Sequence, residues 1–356
     1  MSTSEKGVPL GTEITIPAMD DWHLHLRGED EMGDVVGYSA RWARRALIMP
    51  NRPLITTVDQ ASAYRDRILA ALPEYAKFEP LMTLCLTDNT TPEEVRKANR
   101  SGIIYALKAY VADLQNNPDT GITRFFGKVR AAITTAQEVG MPVSIHGEVS
   151  DPNVDVFDRE RFFIDRVLYE LVAEFPDLRI TLEHLSTAYA VRFVEKQSGN
   201  VFGTIAPHYL VANRNDMLAN GICPDFYCSP ILKTAADQWT LIHAAASGDS
   251  HFGPGTDSAP WGRRNKYAAR GKGGCFDAPA APGLYAEAFD SIGKIEMLGE
   301  FVSHGPKQYG LSPNTGTMTL VREDWIVPRL YPFGDDVVTP FRAGQVVKWK
   351  IKEVRK

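Results

Sequence analysis

The sequence lacks a long apolar run. No stretch approaches the roughly 20 apolar residues that a membrane-spanning helix needs, and the N-terminus carries Glu5, Lys6 and Glu13 without the apolar segment of a signal peptide. Basic residues are not in excess either, because the formal net charge is -5. A net negative charge does not indicate a protein that binds nucleic acid or an anionic membrane. We therefore predict a cytoplasmic protein that acts on a small molecule.

Cysteine is scarce, and its spacing does not indicate a structural zinc site. The four cysteines lie far apart or five residues apart, without the C-x-x-C pairs that such sites use. We predict that they are reduced thiols, mostly buried as small apolar side chains. They are Cys85, Cys223, Cys228 and Cys275.

Short apolar runs alternate with longer segments of helical periodicity through most of the chain. Eight such runs predict strands, at Ala18–Leu26, Ala46–Met49, Leu81–Leu86, Tyr105–Ala109, Pro142–His146, Arg179–Glu183, Val201–Ile205 and Phe252–Thr256. The intervening periodic segments predict helices, among them Val58–Leu72, Pro92–Ser101, Phe125–Val139, Arg159–Phe175, Ala188–Gln197 and Ala235–Ser247. This alternation is typical of βαβ units on a parallel sheet. Eight repeats match a closed (β/α)8 TIM barrel of the α/β class.

The sequence shows no internal repeat, low-complexity tract or flexible linker that would divide it. We predict a single barrel domain over residues 1–356, with a short N-terminal extension of about residues 1–17 and a C-terminal extension after about residue 285. The polar, basic and glycine-rich stretch Arg263–Gly274 is predicted to be a loop over the mouth of the barrel.

Two histidines stand close together at the end of the first predicted strand. His23 and His25 are two residues apart, so the alternation of a strand points both imidazoles to the same side. In a barrel this side can be the interior, where a pair of imidazoles suits a divalent metal ion such as zinc. Taken alone, the pair is equally compatible with two ordinary histidines.

Four more polar residues lie at or near predicted strand ends: Lys108, His146, His184 and Asp257. Because barrel enzymes take active-site groups from the C-terminal ends of strands, the two histidines favour a metal site over simple polar caps. Lys108, in an apolar run, is either a side chain that reaches out to solvent or a neutral amine able to form a carbamate with carbon dioxide. Asp257 either fixes a turn or ligates a metal ion and carries a proton.

The order of these motifs resembles a known enzyme family. From about Asp20 to the C-terminal region, the chain is similar to dihydroorotases of the shorter, stand-alone bacterial type, within the amidohydrolase superfamily. Residues before about position 17 have no such match. The resemblance is carried by Asp21–Arg27, Met49–Asn51, Lys108, His146–Glu148, Glu183–His184, Tyr227–Lys233 and Gly255–Pro260, and also by Thr56–Val58, Phe157–Glu160, Asn213–Asn215 and Gly274–Phe276.

The resemblance implies a centre of two divalent metal ions. The matching ligands are His23, His25 and Asp257 for one ion, His146 and His184 for the other, and a carbamate on Lys108 as the bridge. Zinc is the expected metal, although such ligands also accept cobalt or manganese. The implied reaction is the reversible hydrolysis of L-dihydroorotate to N-carbamoyl-L-aspartate in pyrimidine biosynthesis, in which Asp257 would be the catalytic residue that carries the proton. A homodimer is also implied.

The resemblance further implies four residues that bind substrate: Arg27, Asn51, Ser229 and Gly273. Arg27 and Asn51 would bind the substrate carboxylate, for which a guanidinium supplies paired donors. Backbone groups of Ser229 and Gly273 would meet the edge of the ring.

Two places depart from the family pattern. Trp261 stands where the family usually has a histidine that helps to bind the carboxylate. Gln115 and Asn116 stand where a mobile loop usually carries two threonines. Both changes concern substrate handling and leave the metal ligands intact. Arg263 and Arg264, two and three residues after Trp261, are candidates to replace the missing histidine.

Two alternative functions stay open. A related cyclic amidohydrolase, such as a hydantoinase or dihydropyrimidinase, would use the same metals on another ring. Those proteins usually build a second β-rich domain partly from residues before the first barrel strand, and only about twenty residues precede His23. A catalytically inactive barrel kept as a binding partner would have lost metal ligands, whereas all six expected positions are filled.

Overall fold

The computed structural model describes residues 7–111, 122, 124–197 and 199–356. The strands are β1 (Glu13–Pro17), β2 (Asp21–Leu24), β3 (Arg45–Ile48), β4 (Glu79–Leu86), β5 (Ile104–Ala109), β6 (Val143–Ile145), β7 (Ile180–Leu182), β8 (Val201–Ile205), β9 (Phe252–Pro254), β10 (Thr317–Ile326), β11 (Tyr331–Phe333), β12 (Asp336–Val338) and β13 (Val346–Arg355). The α-helices are α1 (Glu29–Ala40), α2 (Val58–Ala70), α3 (Pro92–Arg100), α4 (Arg130–Val139), α5 (Arg159–Phe163), α6 (Tyr169–Glu174), α7 (Ala188–Glu195), α8 (Pro207–Val211), α9 (Arg214–Leu218), α10 (Ala235–Ala245), α11 (Arg263–Lys266), α12 (Ala281–Ser291) and α13 (Leu298–Phe301).

Strands β2 to β9 form one parallel sheet in sequential order. The sheet closes where β2 meets the segment that follows β9. There the backbone N–H of Asp257 donates to the carbonyl of His23 at 2.9 Å, and the N–H of His25 donates to the carbonyl of Ser258 at 3.2 Å. The predicted (β/α)8 TIM barrel is therefore confirmed, and all eight predicted strands are present, with most ends shifted by a few residues.

The barrel strands are buried on both faces because helices cover the sheet. Every residue of β3, β6, β7 and β8 is buried, and such near-continuous apolar runs are typical of parallel strands. The start of α3 is marked by the residue types that favour a helix N-terminus. The side chain of Thr91 accepts a hydrogen bond from the N–H of Glu94, and Pro92 occupies the first turn. Within the described residues, no helix has the length and apolarity needed to span a bilayer.

Several helices differ from the sequence prediction. Helix α1, between β2 and β3, was not among the predicted helices, and Gly33 and Gly37 within it weaken its helical signal. Helix α4 begins later than predicted. The long predicted helix after β6 is divided into α5 and α6 by a π-helical segment, Ile164–Leu168. The stretch Arg263–Gly274 is not all loop, because it opens with the short helix α11.

A second sheet joins the two ends of the chain. Strand β1 pairs with β10 and β10 pairs with β13, all antiparallel. Thr15 lies opposite Thr319, and their hydroxyl groups are hydrogen-bonded at 2.9 Å. Helix α12 packs against β13. The segments predicted as N- and C-terminal extensions are thus paired with each other, while their assignment to one domain with the barrel stays a prediction.

Candidate active site

The first three predicted metal ligands lie together at the C-terminal end of β2 and just past the end of β9. Nε2 of His23 and Nε2 of His25 are 3.2 and 3.1 Å from Oδ1 of Asp257, and the two imidazole nitrogens are 3.2 Å apart. All three side chains are buried, and their ligand atoms lie within 4.8 Å of one another. The alternation of β2 therefore does point both imidazoles to one side, and the loop after β9 brings a carboxylate to them.

A second pair of histidines lies beside this group. Nδ1 of His146, just past β6, is 3.0 Å from Nε2 of His184, just past β7. The imidazole ring of His184 is in turn 5.1 Å from that of His23, measured between centroids. The two groups of predicted ligands thus share one buried chamber at the C-terminal ends of the strands, where barrel enzymes place their active sites.

Lys108 extends from β5 and is completely buried. Its Nζ atom is one of the buried polar atoms that have no hydrogen-bond partner among the described residues. Burial lowers the pKa of this amine below its ordinary value, even though the charges of Glu183 and Asp257 act to raise it. A buried ammonium without a partner is costly, whereas a neutral amine has the lone pair that carbon dioxide requires. The site therefore fits a modified lysine better than a free one.

Two of the histidines, His23 and His25, are oriented by hydrogen bonds to neighbouring side chains. Nδ1 of His23 is 2.9 Å from Oε2 of Glu183, and this oxygen also accepts a hydrogen bond from the Thr204 hydroxyl at 2.6 Å. Nδ1 of His25 is 2.9 Å from Oδ1 of Asn51. Such partners fix the tautomer and orientation of metal-binding histidines. Sequence reasoning assigned no role to Glu183, although its place directly before His184 at a strand end was a usable signal.

His146 has a comparable partner on the other side of the chamber. Its Nε2 atom is 2.8 Å from Oε2 of Glu148, which also accepts a hydrogen bond from the Ser229 hydroxyl at 3.2 Å. This contact leaves Nδ1 of His146 facing His184. Ser229, predicted to meet the substrate ring, is thereby connected to the metal-ligand group through a single carboxylate.

The charge states of these groups suit a divalent cation. Burial, followed by the charge of His146, lowers the pKa of His184 well below its ordinary value, and burial lowers the pKa of His25 to about 4. Both rings are therefore neutral near pH 7, the form that ligates metals. Burial acts to raise the pKa of Asp257, but the charge and hydrogen bond of His23 hold it well below the usual range. Burial and the charge of Lys108 act to lower the pKa of His23, but the charges of Glu183 and Asp257 raise it above its ordinary value. This ring would therefore give up its proton when it binds a metal ion.

Three of these positions have a left-handed backbone. Arg27, His184 and Asp257 have φ values of 65°, 42° and 46°, and each lies two or three residues past a barrel strand. A non-glycine residue in this region costs about 1–3 kcal/mol, and such residues cluster at functional sites. The strain is consistent with a chamber whose side-chain directions are set by function rather than by backbone preference.

The predicted substrate residues line cavities beside this chamber. A cavity of about 120 Å³ reaches His25 and Asp257, and a larger one of about 570 Å³ adjoins it. Arg27 and Asn51 line both cavities, whereas Ser229 and Gly273 line only the smaller one. The structure therefore brings all four predicted substrate residues to the same opening as the metal ligands.

Trp261, the residue that departs from the family pattern, lies under two guanidinium groups. The guanidinium carbons of Arg27 and Arg52 are 4.6 and 4.7 Å from the centroid of its ring. Its indole N–H donates to the carbonyl of Gly273 at 2.8 Å. Burial, followed by the charge of Arg52, lowers the pKa of Arg27 to about 10. An anion bound here would compensate the cost of burying the charged Arg27 side chain. It would also reduce the repulsion between the two guanidinium groups.

The other arginines near Trp261 point elsewhere. Arg264 pairs with Asp335 at 2.7 Å on the exposed surface, and the guanidinium of Arg263 lies 4.7 Å from the ring of Tyr267. Neither lines the two cavities. The structure thus gives no support to Arg263 or Arg264 as a substitute for the missing histidine and places Arg52, which sequence reasoning overlooked, beside Arg27. The residues Gln115 and Asn116 lie outside the described part of the chain.

Comparison with known proteins finds a matching family and similar chains along nearly the whole sequence. Residues 14–318 match the amidohydrolase family. The dihydroorotase of Vibrio cholerae is 50% identical over 343 residues, covering 96% of this chain and 100% of that one. The dihydroorotase of Ralstonia nicotianae is 48% identical over 339 residues, covering 95% and 98%. The crystal structure of dihydroorotase from Campylobacter jejuni superposes with a TM-score of 0.87 at 29% identity, covering 97% of this chain and 99% of that one.

Proposed function

The chain belongs to the amidohydrolase family, among its dihydroorotases, and we propose that it interconverts L-dihydroorotate and N-carbamoyl-L-aspartate as a step of pyrimidine biosynthesis. It is a hydrolase of a cyclic amide. The observation that carries the proposal is that a buried cluster of two histidines and an aspartate borders a cavity lined by arginines. The first group suits metal-assisted hydrolysis, and the second suits a substrate with a carboxylate.

The donor set fits two divalent metal ions, for which we propose zinc. The ligands would be His23, His25 and Asp257 for one ion, His146 and His184 for the other, and carbamylated Lys108 for both. When bound, such ions lower the pKa of a water molecule and polarise a carbonyl. Among the described residues, Nζ of Lys108 has no hydrogen-bond partner. This supports the arrangement, because a carbamate there would replace an orphaned amine with a negatively charged group able to bind cations.

We assign proton transfer to Asp257. Its Oδ1 atom is held by two imidazole nitrogens, and its pKa lies well below the usual range. A carboxylate of this kind accepts a proton only briefly and passes it on, here from the attacking water to the amide nitrogen that leaves the ring. We assign the transfer to the second carboxylate oxygen, Oδ2, because the two imidazoles contact Oδ1.

We assign recognition of the substrate carboxylate to Arg27, supported by Asn51 and Arg52. The Arg27 side chain is buried and donates through Nε to the carbonyl of Pro260 at 2.6 Å, which fixes the direction of its remaining donors. A neutral ring such as dihydrouracil would leave this buried guanidinium without its anionic partner, and sites of this kind discriminate strongly against such analogues. Backbone groups of Ser229 and Gly273 would contact the ring edge. We further propose a cytoplasmic homodimer.

The proposal is tested by comparing substrates on the purified, metal-loaded enzyme. We expect kcat/KM for L-dihydroorotate to exceed that for dihydrouracil and hydantoin. We expect Arg27→Ala to lower kcat/KM for dihydroorotate by about 10- to 150-fold, since a hydrogen bond to a charged group contributes roughly 1.5–3 kcal/mol. Arg263→Ala, which removes a guanidinium outside the cavities, is the matched control and should leave it unchanged.

The two alternative functions give different results in the same assay. A hydantoinase or dihydropyrimidinase would turn over hydantoin or dihydrouracil faster than dihydroorotate, and Arg27→Ala would not affect the better substrate. An inactive barrel would turn over none of the three rings. Either result would refute the proposed function.

Arg52 provides a second, weaker prediction. Its side chain is exposed, so its attraction for a carboxylate is screened by salt. We expect Arg52→Ala to raise KM for dihydroorotate by about 2- to 5-fold at low ionic strength, corresponding to less than about 1 kcal/mol, and to have little effect at high salt. The defect of Arg27→Ala should persist at high salt because Arg27 is buried. Equal salt dependence of the two variants would contradict these separate roles.

A further inference from the structure

A cavity of about 700 Å³ lies at the end of the barrel opposite the metal ligands. Its wall includes the residues that directly precede three neighbouring strands: Arg179 before β7, Asn200 before β8 and His251 before β9. Much of the remaining wall comes from residues 303–313. Among the described residues, none lines both this cavity and the two cavities beside the metal ligands. We call this second site the basal cavity.

The charged side chains that line the basal cavity are all basic. They are Arg179, His251, His304 and Lys307, and no aspartate or glutamate lines it within the described part of the chain. This lining contrasts with the net charge of -5 of the whole chain. A concave surface with charges of one sign raises the local concentration of ligands of the other sign. The basal cavity therefore favours an anionic ligand.

Arg179 is the most deeply placed cation of the basal cavity. Its side chain is half-buried, and its two terminal nitrogens donate to the carbonyls of Gln308, at 2.9 Å, and Gly140. No carboxylate pairs with it among the described residues, and burial lowers the pKa of its guanidinium below the ordinary value. A charge that is partly removed from water without an ionic partner is costly. An anion would supply that partner through charged hydrogen bonds.

The two histidines each keep one ring nitrogen for a ligand. Nδ1 of His304 is 2.8 Å from the carbonyl of Phe252, which can only accept, so this nitrogen carries the proton. Nδ1 of His251 is 2.6 Å from Oδ1 of Asp249, a carboxylate that does not line the cavity. Nε2 of both rings has no hydrogen-bond partner within the described residues. A ring that takes up a proton beside an anion can donate it from this atom.

The wall formed by residues 303–313 is held in place by the barrel interior. The indole N–H of Trp22, in β2, donates to the carbonyl of His304 at 2.9 Å. The Trp22 ring also stacks on Tyr309 with 4.9 Å between centroids, and the Tyr309 hydroxyl is 3.1 Å from that of Thr181. Because these contacts fix the wall before any ligand is present, little ordering is needed for binding.

The size of the basal cavity indicates an organic anion. Its volume lies within the range of about 300–1,000 Å³ that is typical of small-molecule sites, and an inorganic ion would fill only a small part of it. Phe202, Leu311 and Pro313 add apolar surface to the wall. A phosphate group presents three acceptor oxygens to donors that come from separate segments, which suits the spread of basic side chains here.

We propose that the basal cavity binds an organic phosphate of about the size of a nucleoside monophosphate. Its phosphate group contacts Arg179 and Lys307, and its ring lies against the apolar part of the wall. This site is independent of the proposed function, because it shares no lining residue with the cavities to which we assigned the reaction.

The proposal is tested by isothermal titration calorimetry of the full-length, metal-loaded protein with adenosine 5'-monophosphate (AMP) as the probe. We expect one site per chain, with a Kd about 10-fold or more below that of inorganic phosphate, because burial of the ring adds apolar contact. Uncharged adenosine should not bind measurably. We expect Arg179→Gln to raise the Kd for AMP by about 10- to 150-fold, since it removes hydrogen bonds between charged groups.

Two controls separate the basal cavity from other basic surfaces. Lys307→Gln should raise the Kd for AMP by about 2- to 5-fold at low ionic strength, as expected for an exposed charge. Lys128→Gln, which changes an exposed lysine outside the cavity, should leave it unchanged. Arg27→Ala should also leave it unchanged, because Arg27 lines the cavities beside the metal ligands and not this one.

The variant Ser250→Trp tests the fit of the organic part. Ser250 is an exposed residue of the cavity wall, so the bulky side chain narrows the cavity without changing its charge. We expect it to weaken the binding of AMP more than the binding of inorganic phosphate. Together with Lys307→Gln, it decides the case should Arg179→Gln fail to fold through loss of the two carbonyl contacts.

Three results would overturn the proposal. They are no binding of AMP, binding of inorganic phosphate as tight as that of AMP, and loss of AMP binding in Arg27→Ala but not in the variants of the basal cavity. Binding of AMP here by a protein that does not turn over dihydroorotate would support the basal cavity while refuting the proposed function.

Discussion

Asp257→Asn is expected to lower kcat by about 10²- to 10⁴-fold or more, the range in which general acid–base catalysis contributes, because the substitution also removes a ligand charge. Asparagine has nearly the same shape and tolerates a left-handed backbone such as the φ of 46° found here. The fold and the His146–His184 pair should therefore survive. Because an amide cannot take up the proton, we expect the loss mainly in kcat rather than in KM.

The control for this substitution lies at the other end of the same strand. Asp249 precedes β9 and accepts a hydrogen bond from the N–H of His251 at 2.9 Å, away from the metal ligands. Asp249→Asn should leave kcat unchanged. The role of Asp257 in proton transfer is tested by steady-state kinetics of both variants together with their metal contents. Near-normal turnover by Asp257→Asn would remove this residue from the proposed mechanism.

Lys108→Ala is expected to lose most of the bound active-site metal and several orders of magnitude of activity. The substitution removes the ligand proposed for both ions, and catalysis by metal-activated water disappears with them. The alanine leaves a hole where the lysine side chain was, so a small carboxylate such as acetate or propionate should enter and partly restore metal binding and turnover. Lys108→Met, which fills the same space, should be equally inactive and should not respond to added carboxylate.

The modification itself has a direct signature. Wild-type enzyme equilibrated with 13C-labelled bicarbonate should show a carbamate carbon resonance that is absent from both Lys108 variants. An unmodified amine at Lys108 in active, metal-loaded enzyme would disprove the bridge. Full metal content in Lys108→Ala would do the same. Lys128→Ala, which changes an exposed lysine, controls for nonspecific carbamylation.

The sequence was most informative where chemistry and periodicity coincide. Eight apolar runs predicted the barrel because parallel strands are buried on both faces. Four histidines stand at the ends of those runs: His23, His25, His146 and His184. They were predicted to share one site because the C-terminal ends of parallel strands meet at one edge of the barrel. The structure gathers these residues as expected.

What the sequence could not show depends on contacts between distant segments. The guanidinium of Arg52 lies over Trp261, which is 209 positions later in the chain, and no local pattern signals such a contact. His208, Cys228 and Cys275 lie close together in the structure without any C-x-x-C spacing, because helix α8 and two separate loops contribute one residue each. Helix α1 and the pairing of β1 with β10 were missed for related reasons: the first has two internal glycines, and the second joins the ends of the chain.

The pairing of β1 has a consequence for biosynthesis. Thr15 in β1 and its partner Thr319 in β10 are 304 positions apart. At a translation rate of about 5–20 residues per second, β1 is synthesised roughly 15–60 s before β10. During this interval its backbone N–H and C=O groups are open to neighbouring nascent chains. We therefore expect the yield of soluble protein to depend on elongation speed and on chaperones that cover the first strand until the last ones emerge.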